Sequence, residues 1–390
     1  MIKKSFLSGP LAGAAFLMAT SAIGPGFITQ TTTFTERLKG SFGFVILISI
    51  LLDLGAQLNV WRLIGVSKLY AQDLANRVFP GAGYLLSAMI FLGGLAFNIG
   101  NMAGAGLGLQ VLTGCSVQTG AVISCVLATI IFSVKEAGKA MDLFTKILGF
   151  VMIGLTLYVA FASHPPMGEV VTKFFIPDKI DELVILTIVG GTVGGYISFA
   201  GAHRLLEAGV SGKENIKKIS TSSASAILIA SVMRTILYVA ALGIVWQGIS
   251  LGSQNPAAVV FESAAGSVGY KIFGLVLWSA AITSVVGSAF TSVSFIRSIH
   301  PLVENNIHRI IIAFIIFSTV VFLIVGEPVK LLLAAGAVNG LILPFSLAIM
   351  LSSVSKKKLL NDYHHPRWLT VLGWVVVAVM GYMAVRGLTV

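Results

Sequence analysis

An apolar stretch running from about residue 7 to residue 34 is interrupted by Gly24-Pro25-Gly26-Phe27. A second, from about 183 to 202, carries Gly190-Gly191-Thr192-Val193-Gly194-Gly195. Crossing a bilayer as a helix takes about 20 apolar residues, which both stretches supply. Glycine and proline at such places free backbone N–H and C=O groups that hydrocarbon cannot satisfy. Interruptions of this kind persist only where protein or a polar cavity surrounds them. Two interrupted helices at corresponding places in two halves of a chain point to the substrate site of a secondary transporter. The breaks therefore require a membrane-embedded helical bundle with two unwound segments inside it.

The rest of the chain has the apolar length such a bundle needs. Its 390 residues are 56% hydrophobic and 11% charged, against about 25% charged in an average soluble domain. It divides into about eleven apolar stretches, approximately 8–34, 41–61, 82–112, 116–134, 143–162, 183–202, 219–246, 268–296, 309–326, 328–352 and 368–388. The first is too long for the apolar part of a cleavable signal peptide and lacks an A-x-A-like exit. The longest connections, about 163–182 and 247–267, read as short lids or surface loops, which leaves no room for a soluble domain.

The net charge of +11 invites a nucleic-acid reading, but its distribution opposes one. With the N-terminus in the cytoplasm and alternating spans, 18 of the 26 Lys and Arg fall on the cytoplasmic side, 7 outside, and Arg234 within a span. This is the positive-inside bias, so the basic excess reports topology and the partner is the lipid bilayer. Cys115 and Cys125 fall near or within spans and suggest neither a disulfide framework nor a metal knuckle.

Span parity divides the chain into one repeat at about 8–162, a second of opposite orientation at about 183–352, and an added helix at about 368–388, all within a single transmembrane domain. The expected fold class is an all-α integral membrane protein of about 11 transmembrane helices.

Several motifs resemble those of the NRAMP metal transporters. Gly24-Pro25-Gly26-Phe27 occupies the place of that family's Asp-Pro-Gly-Asn motif in the first helix. Thr192-Val193-Gly194-Gly195-Tyr196-Ile197 sits where the sixth helix has a Met-Pro-His-Asn type motif. The similarity continues in Ala280-Ala281-Ile282-Thr283-Ser284-Val285-Val286-Gly287-Ser288, and in Leu343-Pro344-Phe345-Ser346-Leu347 followed by Lys356-Lys357-Lys358. The resemblance implies a LeuT-like fold of five-plus-five inverted repeats in a bacterial cytoplasmic (inner) membrane.

The departures from that pattern are chemical. A divalent transition metal takes carboxylate, amide oxygen, imidazole or thioether ligands. By the resemblance, the family's aspartate becomes Gly24, its asparagine Phe27, its methionine Gly194 and a tenth-helix glutamine Ile342, none of which can ligate through its side chain. The family's acidic pair in the third helix falls on Asn98 and Asn101, which hydrogen-bond but cannot titrate. No metal site and no cofactor is expected.

What remains suits an anion. Thr29, Gln30 and Thr31 follow the first break beside the N-terminus of a half-helix, where free N–H groups and the helix dipole favour a carboxylate. Gly24, Gly26, Gly194 and Gly195 allow backbone to approach a ligand, and Phe27, Tyr196 and Phe199 can wall the site. The expected substrate is a small organic anion or amino-acid-like solute. The Gly-Pro-Gly-Phe first-helix motif is similar to that of an NRAMP-like branch found beside bacterial 5-oxoprolinase genes, which makes 5-oxoproline a candidate.

Asp53 and Arg234 lie within spans, where ionisable residues are functional candidates by default. Asp53 is a candidate proton carrier or a structural ion-pair partner; Arg234 is a candidate partner for Asp53 or for a substrate anion. Asn98 and Asn101 share a helical face at i,i+3 spacing, as pathway lining or as helix–helix hydrogen bonds. In the eighth span, Ser288, Thr291 and Ser292 resemble the sodium-binding hydroxyls of LeuT-like symporters, and the coupling ion is left as H⁺ or Na⁺. His203, Arg204 and Glu207 read as an interfacial anchor. No His/Glu zinc motif, nucleotide loop or catalytic carboxylate pair is present, so the chain does not read as an enzyme. The competing reading is a divalent metal cation transporter with an atypical site.

Overall fold

The computed structural model describes residues 24–297 and 301–389, and these form helices joined by short connections. Helix α1 (Pro25–Leu38) opens with Gly24 extended and proline at its first position, where the missing N–H costs no helical bond. Whatever precedes Gly24, including the first half of the first apolar stretch, lies outside the described residues. Next come α2 (Phe42–Ser67), the short α3 (Ala71–Val78), α4 (Ala82–Thr113), α5 (Val117–Ser133) and α6 (Lys135–Ala162). The chain then bends by 108° into α7 (Met167–Phe175).

The second half begins with α8 (Glu182–Val193), whose N-terminus is capped by the Asp181 carboxylate accepting from Val184 N–H at 3.1 Å. It is followed by α9 (Ile197–Glu207), α10 (Ile216–Trp246) and α11 (Pro256–Ile296). Further on lie α12 (Pro301–Asn305), α13 (Ile307–Val325), α14 (Pro328–Ser352) and α15 (Arg367–Thr389). Each of the eleven apolar stretches thus carries a helix, with α8 and α9 as the two pieces of the sixth.

Two connections differ from the sequence expectation. Region 163–182 is no plain loop, because Met167–Phe175 is helical. It buries Val170 and exposes Met167, Val171 and Phe175. Region 247–267 shortens because Asn255 caps Ala258 N–H and Pro256 starts a helix, which kinks at Gly266 (φ 62°) and continues to Ile296.

The helices pack through small residues, as expected where the hydrophobic effect does not drive association. Helices α4 and α11 run against each other, and a Cβ on Gly108 would fall 2.6 Å from the Trp278 backbone nitrogen. The α8–α14 crossing is closer still: Gly190 faces the backbone of Gly336 and Gly340, and Gly340 faces that of Leu186. Helix α2 lies against α10 and against α9 and α8, the two helices that flank the second break.

Candidate functional site

At the second break, Gly194 is extended (φ −50°, ψ 175°) and separates α8 from α9. The groups freed there find protein partners. Asn339 on α14 accepts from Gly195 N–H through its backbone carbonyl at 3.1 Å and from Tyr196 N–H through Oδ1 at 3.0 Å. Its Nδ2 donates to Gly93 O at 3.0 Å and Ala335 O at 2.9 Å, so one fully buried amide joins α4, the break and α14. On the other side, Ser198 Oγ donates to Val193 O at 2.7 Å, and Trp61 Nε1 donates to Ser198 O at 2.9 Å.

This arrangement corrects the reading of the break glycines. A Cβ on Gly194 would meet Asn339 Cβ at 2.7 Å, and one on Gly195 would run into the Ile342 side chain. Gly191 faces the Gln30 side chain, which is wedged between Gly191 and Gly336 and donates from Nε2 to Leu332 O at 3.2 Å. The space beside these glycines is filled by protein, so helix packing accounts for them. Thr31 also differs from expectation, since its hydroxyl donates to Phe27 O of its own helix at 2.7 Å. Phe199 is fully buried in the apolar core, and Tyr196 stands beside Phe97 with ring centroids 6.0 Å apart. Thr29 is buried along α1.

Arg234, from the middle of α10, reaches both the second break and the start of α1. Its Nη1 donates to Thr192 Oγ1 at 2.8 Å, two residues before Gly194. Its guanidinium carbon lies 4.2 Å from the centroid of the Phe27 ring, a cation–π contact at the first turn of α1. The first N–H groups of a helix have no intrahelical acceptors, and after Pro25 those belong to Gly26 and Phe27. Arg234 is only 2% exposed, and its Nε and Nη2 have no protein partner. Asp53 on α2 is 1% exposed, and its Oδ1 is likewise unpartnered. Among the described residues, no ion pair joins Asp53 and Arg234. Both groups face an interior where an unpaired charge is costly.

The remaining polar residues form a separate cluster. Asn98 accepts from Ser288 Oγ at 3.0 Å and donates to Ser318 Oγ at 3.2 Å, linking α4, α11 and α13. Thr291 donates to Gly287 O at 2.9 Å, while Ser292 Oγ and Asn101 Nδ2 have no protein partner. Two of the three hydroxyls read as sodium ligands are thus engaged with Asn98 or their own helix. His203 is no interfacial anchor: it is buried, stacks on Phe295 at 4.3 Å, and accepts from Ala71 N–H at 2.9 Å through Nε2.

A cavity of about 530 Å³ opens at the end opposite Lys356, lined among others by Leu107, Gln110, Gln254, Glu327 and Lys330. Leu107 belongs to the same apolar cluster as Phe27, Ile28 and Leu332.

A buried break between α8 and α9, with a charged side chain that also reaches the start of α1, belongs to a helical bundle of LeuT-like architecture. The chain belongs to the natural resistance-associated macrophage protein-like family, whose model matches residues 15–389. It is 58% identical over 375 residues to the uncharacterized membrane protein YcsG of Bacillus subtilis, covering 96% of this chain and 93% of that one. It is 25% identical over 395 residues to the divalent metal cation transporter MntH of Klebsiella pneumoniae, covering 95% and 91%. Among solved structures it is similar to a single-site mutant of the manganese transporter of Eremococcus coleocola, with TM-score 0.76, 17% identity, and coverage of 99% and 88%.

Proposed function

We propose that this family member is a secondary active transporter of a small organic carboxylate or amino-acid-like solute, with 5-oxoproline as the first candidate, coupled to an ion gradient. The observation that carries the reading is the position of Arg234. A guanidinium with two unpartnered nitrogens lies over Phe27 and against Thr192. Such a group binds a carboxylate in a planar, two-point geometry and repels a metal dication. The α1 N-terminus at Gly26 and Phe27 adds donors of the same sign. We place the protein in a bacterial inner membrane with its N-terminus in the cytoplasm, on the strength of its charge distribution.

The second reading, a divalent metal transporter with an atypical site, is favoured by the relative MntH. Against it stand Gly24, Phe27, Gly194 and Ile342 at the family's ligand positions. Among the described residues, no group of three or more His, Cys, Asp or Glu side chains comes together.

The test is uptake by purified protein in proteoliposomes, comparing labelled 5-oxoproline and other small carboxylates with radiolabelled Mn²⁺. Losing a hydrogen bond to a charged group costs about 1.5–3 kcal/mol, so Arg234→Gln should weaken carboxylate affinity about tenfold to a hundredfold. Accumulation of Mn²⁺ with every carboxylate inert would put the metal reading first.

A further inference from the structure

We propose that Asp53 and Arg234 form a counter-ion exchange pair, in which Asp53 takes up one proton for each substrate anion that binds Arg234, making transport electroneutral. This rests on the carboxylate reading above and adds to it the residue that couples and the stoichiometry.

The argument begins with charge balance. Asp53 and Arg234 are both buried at mid-helix, on α2 and α10, and together carry no net charge. A structural ion pair would close into hydrogen bonds, because burying two charges is favourable only when they meet in good geometry. Here Arg234 keeps Nε and Nη2 free, and Asp53 keeps Oδ1 free. Arg234 is instead held by Thr192, just before the second break, and by Phe27 at the start of α1.

Other charged groups lie on α2 itself, at Arg62, and on the elements packed against it. Helix α2 packs against elements that carry Glu36 and Arg37 (α1), Asp73 and Arg77 (α3), Glu169 and Lys173 (α7), and Glu182 (α8). Others carry His203, Arg204 and Glu207 (α9), Lys217 and Lys218 (α10), Lys330 (α14), and Arg367 and Arg386 (α15); the connections beside α2 add Lys39, Lys357 and Lys358. Among the described residues, none of these forms an ion pair with Asp53 or with Arg234.

An incoming carboxylate that docks on the free guanidinium N–H groups adds a second negative charge to this interior. Two carboxylates cannot share one cation there without a large penalty. A proton from solvent on Asp53 restores neutrality: Asp53 becomes a neutral acid, the substrate carboxylate pairs with Arg234, and no net charge crosses with the loaded site. Release of the anion leaves the Arg234 guanidinium uncompensated again, and Asp53 gives up its proton on that side.

The experiment uses full-length protein in proteoliposomes with labelled 5-oxoproline, and protein-free liposomes as the control for passive entry of the neutral acid. Wild-type uptake should follow an inward proton gradient, with a limiting accumulation of about tenfold per pH unit for one proton per anion. It should be unchanged when valinomycin and potassium clamp the membrane potential at either sign. Asp53→Asn should keep exchange of internal for external solute but lose accumulation driven by the proton gradient, while Asp53→Glu should retain both. Uptake driven by voltage, or unaffected by the proton gradient, would overturn the proposal without any variant. Asp53→Asn that still accumulates solute on a proton gradient would overturn it while leaving the carboxylate reading intact. If no small carboxylate is taken up at all, the carboxylate reading falls and this proposal with it.

Discussion

Replacing Asn339 by alanine removes the side chain that ties the second break to α4 and α14. Three hydrogen bonds go with it: Tyr196 N–H to Oδ1, and Nδ2 to Gly93 O and to Ala335 O. The Ala335 carbonyl is four residues back on the same helix and keeps its helical partner. The Tyr196 N–H and the Gly93 carbonyl differ. Tyr196 sits in the break, where no preceding turn supplies an acceptor, and the Gly93 carbonyl faces a fully buried interface. Leaving a buried donor unpartnered costs about 1–3 kcal/mol, and losing a neutral hydrogen bond about 0.5–1.5 kcal/mol. With the cavity left by the amide, the variant should lose about 2–4 kcal/mol. Asn339→Asp keeps the acceptor for Tyr196 but turns both donors into repulsion against the Gly93 and Ala335 carbonyls, so it should be at least as damaging. The assay is thermal unfolding of purified protein in detergent, with Thr31→Val as reference, since that hydroxyl only bonds its own helix. Asn339→Ala melting with wild type or with Thr31→Val would refute the assignment of Asn339 as the capping group of the break.

Other outcomes follow from single contacts. Gly191→Ala and Gly336→Ala both push a methyl group into the wedged Gln30 amide, so each should destabilise by about 1–3 kcal/mol; the pair should be less than additive because Gln30 is shared, as a double-mutant cycle in the same melt would read. Trp61→Phe removes the donor to Ser198 O and should cost about 0.5–1.5 kcal/mol. His365, outside the spans, bonds Asn59 Oδ1 at 2.8 Å, and burial together with the nearby Arg62 charge lowers its pKa to about 4. A lowered histidine pKa means that the unfolded chain binds the proton first. Stability that is full above about pH 6.5 should therefore fall as the pH drops toward 4, by up to roughly 3 kcal/mol. His365→Gln should flatten that part of the stability–pH curve.

The sequence makes the bundle legible because membrane spans are a length and polarity constraint, and breaks inside them are rare. Asp53 and Arg234 stand out for the same reason: each is a lone charge in an apolar stretch. What the sequence could not convey was which partner fills each break. Asn339 lies 143 residues along the chain from Tyr196; its one signal was being the only amide side chain in α14. The glycines of 190–195 carry no mark that separates room for a ligand from room for α14, and only the crossing of α8 over α14 decides it. The helix at Met167–Phe175 is too short for its period to emerge from a Pro-rich connection. His203 looked like a boundary residue because it precedes Arg204 and Glu207, yet the backbone of α3 needs an acceptor there, and the imidazole supplies it to Ala71.

On the proposed carboxylate reading, a shift from cation to anion in this fold requires more than the loss of metal ligands, and that can be tested by trying to reverse it. Gly24→Asp with Phe27→Asn would return two oxygen ligands to the first helix. The double variant should still not bind Mn²⁺, because the Arg234 guanidinium stays beside position 27 and would pair with the new carboxylate. Like charge at such range in a buried site opposes a dication by several kcal/mol even at an effective dielectric constant of about 20. Adding Arg234→Leu removes that cation, and its counter-ion Asp53 then contributes a negative charge to the same interior. The triple variant should therefore be the first to bind Mn²⁺, although weakly, since Gly194 cannot be returned to a thioether: Asn339 Cβ lies 2.7 Å from where its Cβ would stand. Titration calorimetry on the three proteins decides it. If the double variant binds Mn²⁺ as tightly as the triple, Arg234 does not set the charge preference of the site, and the case for an organic anion loses its main support.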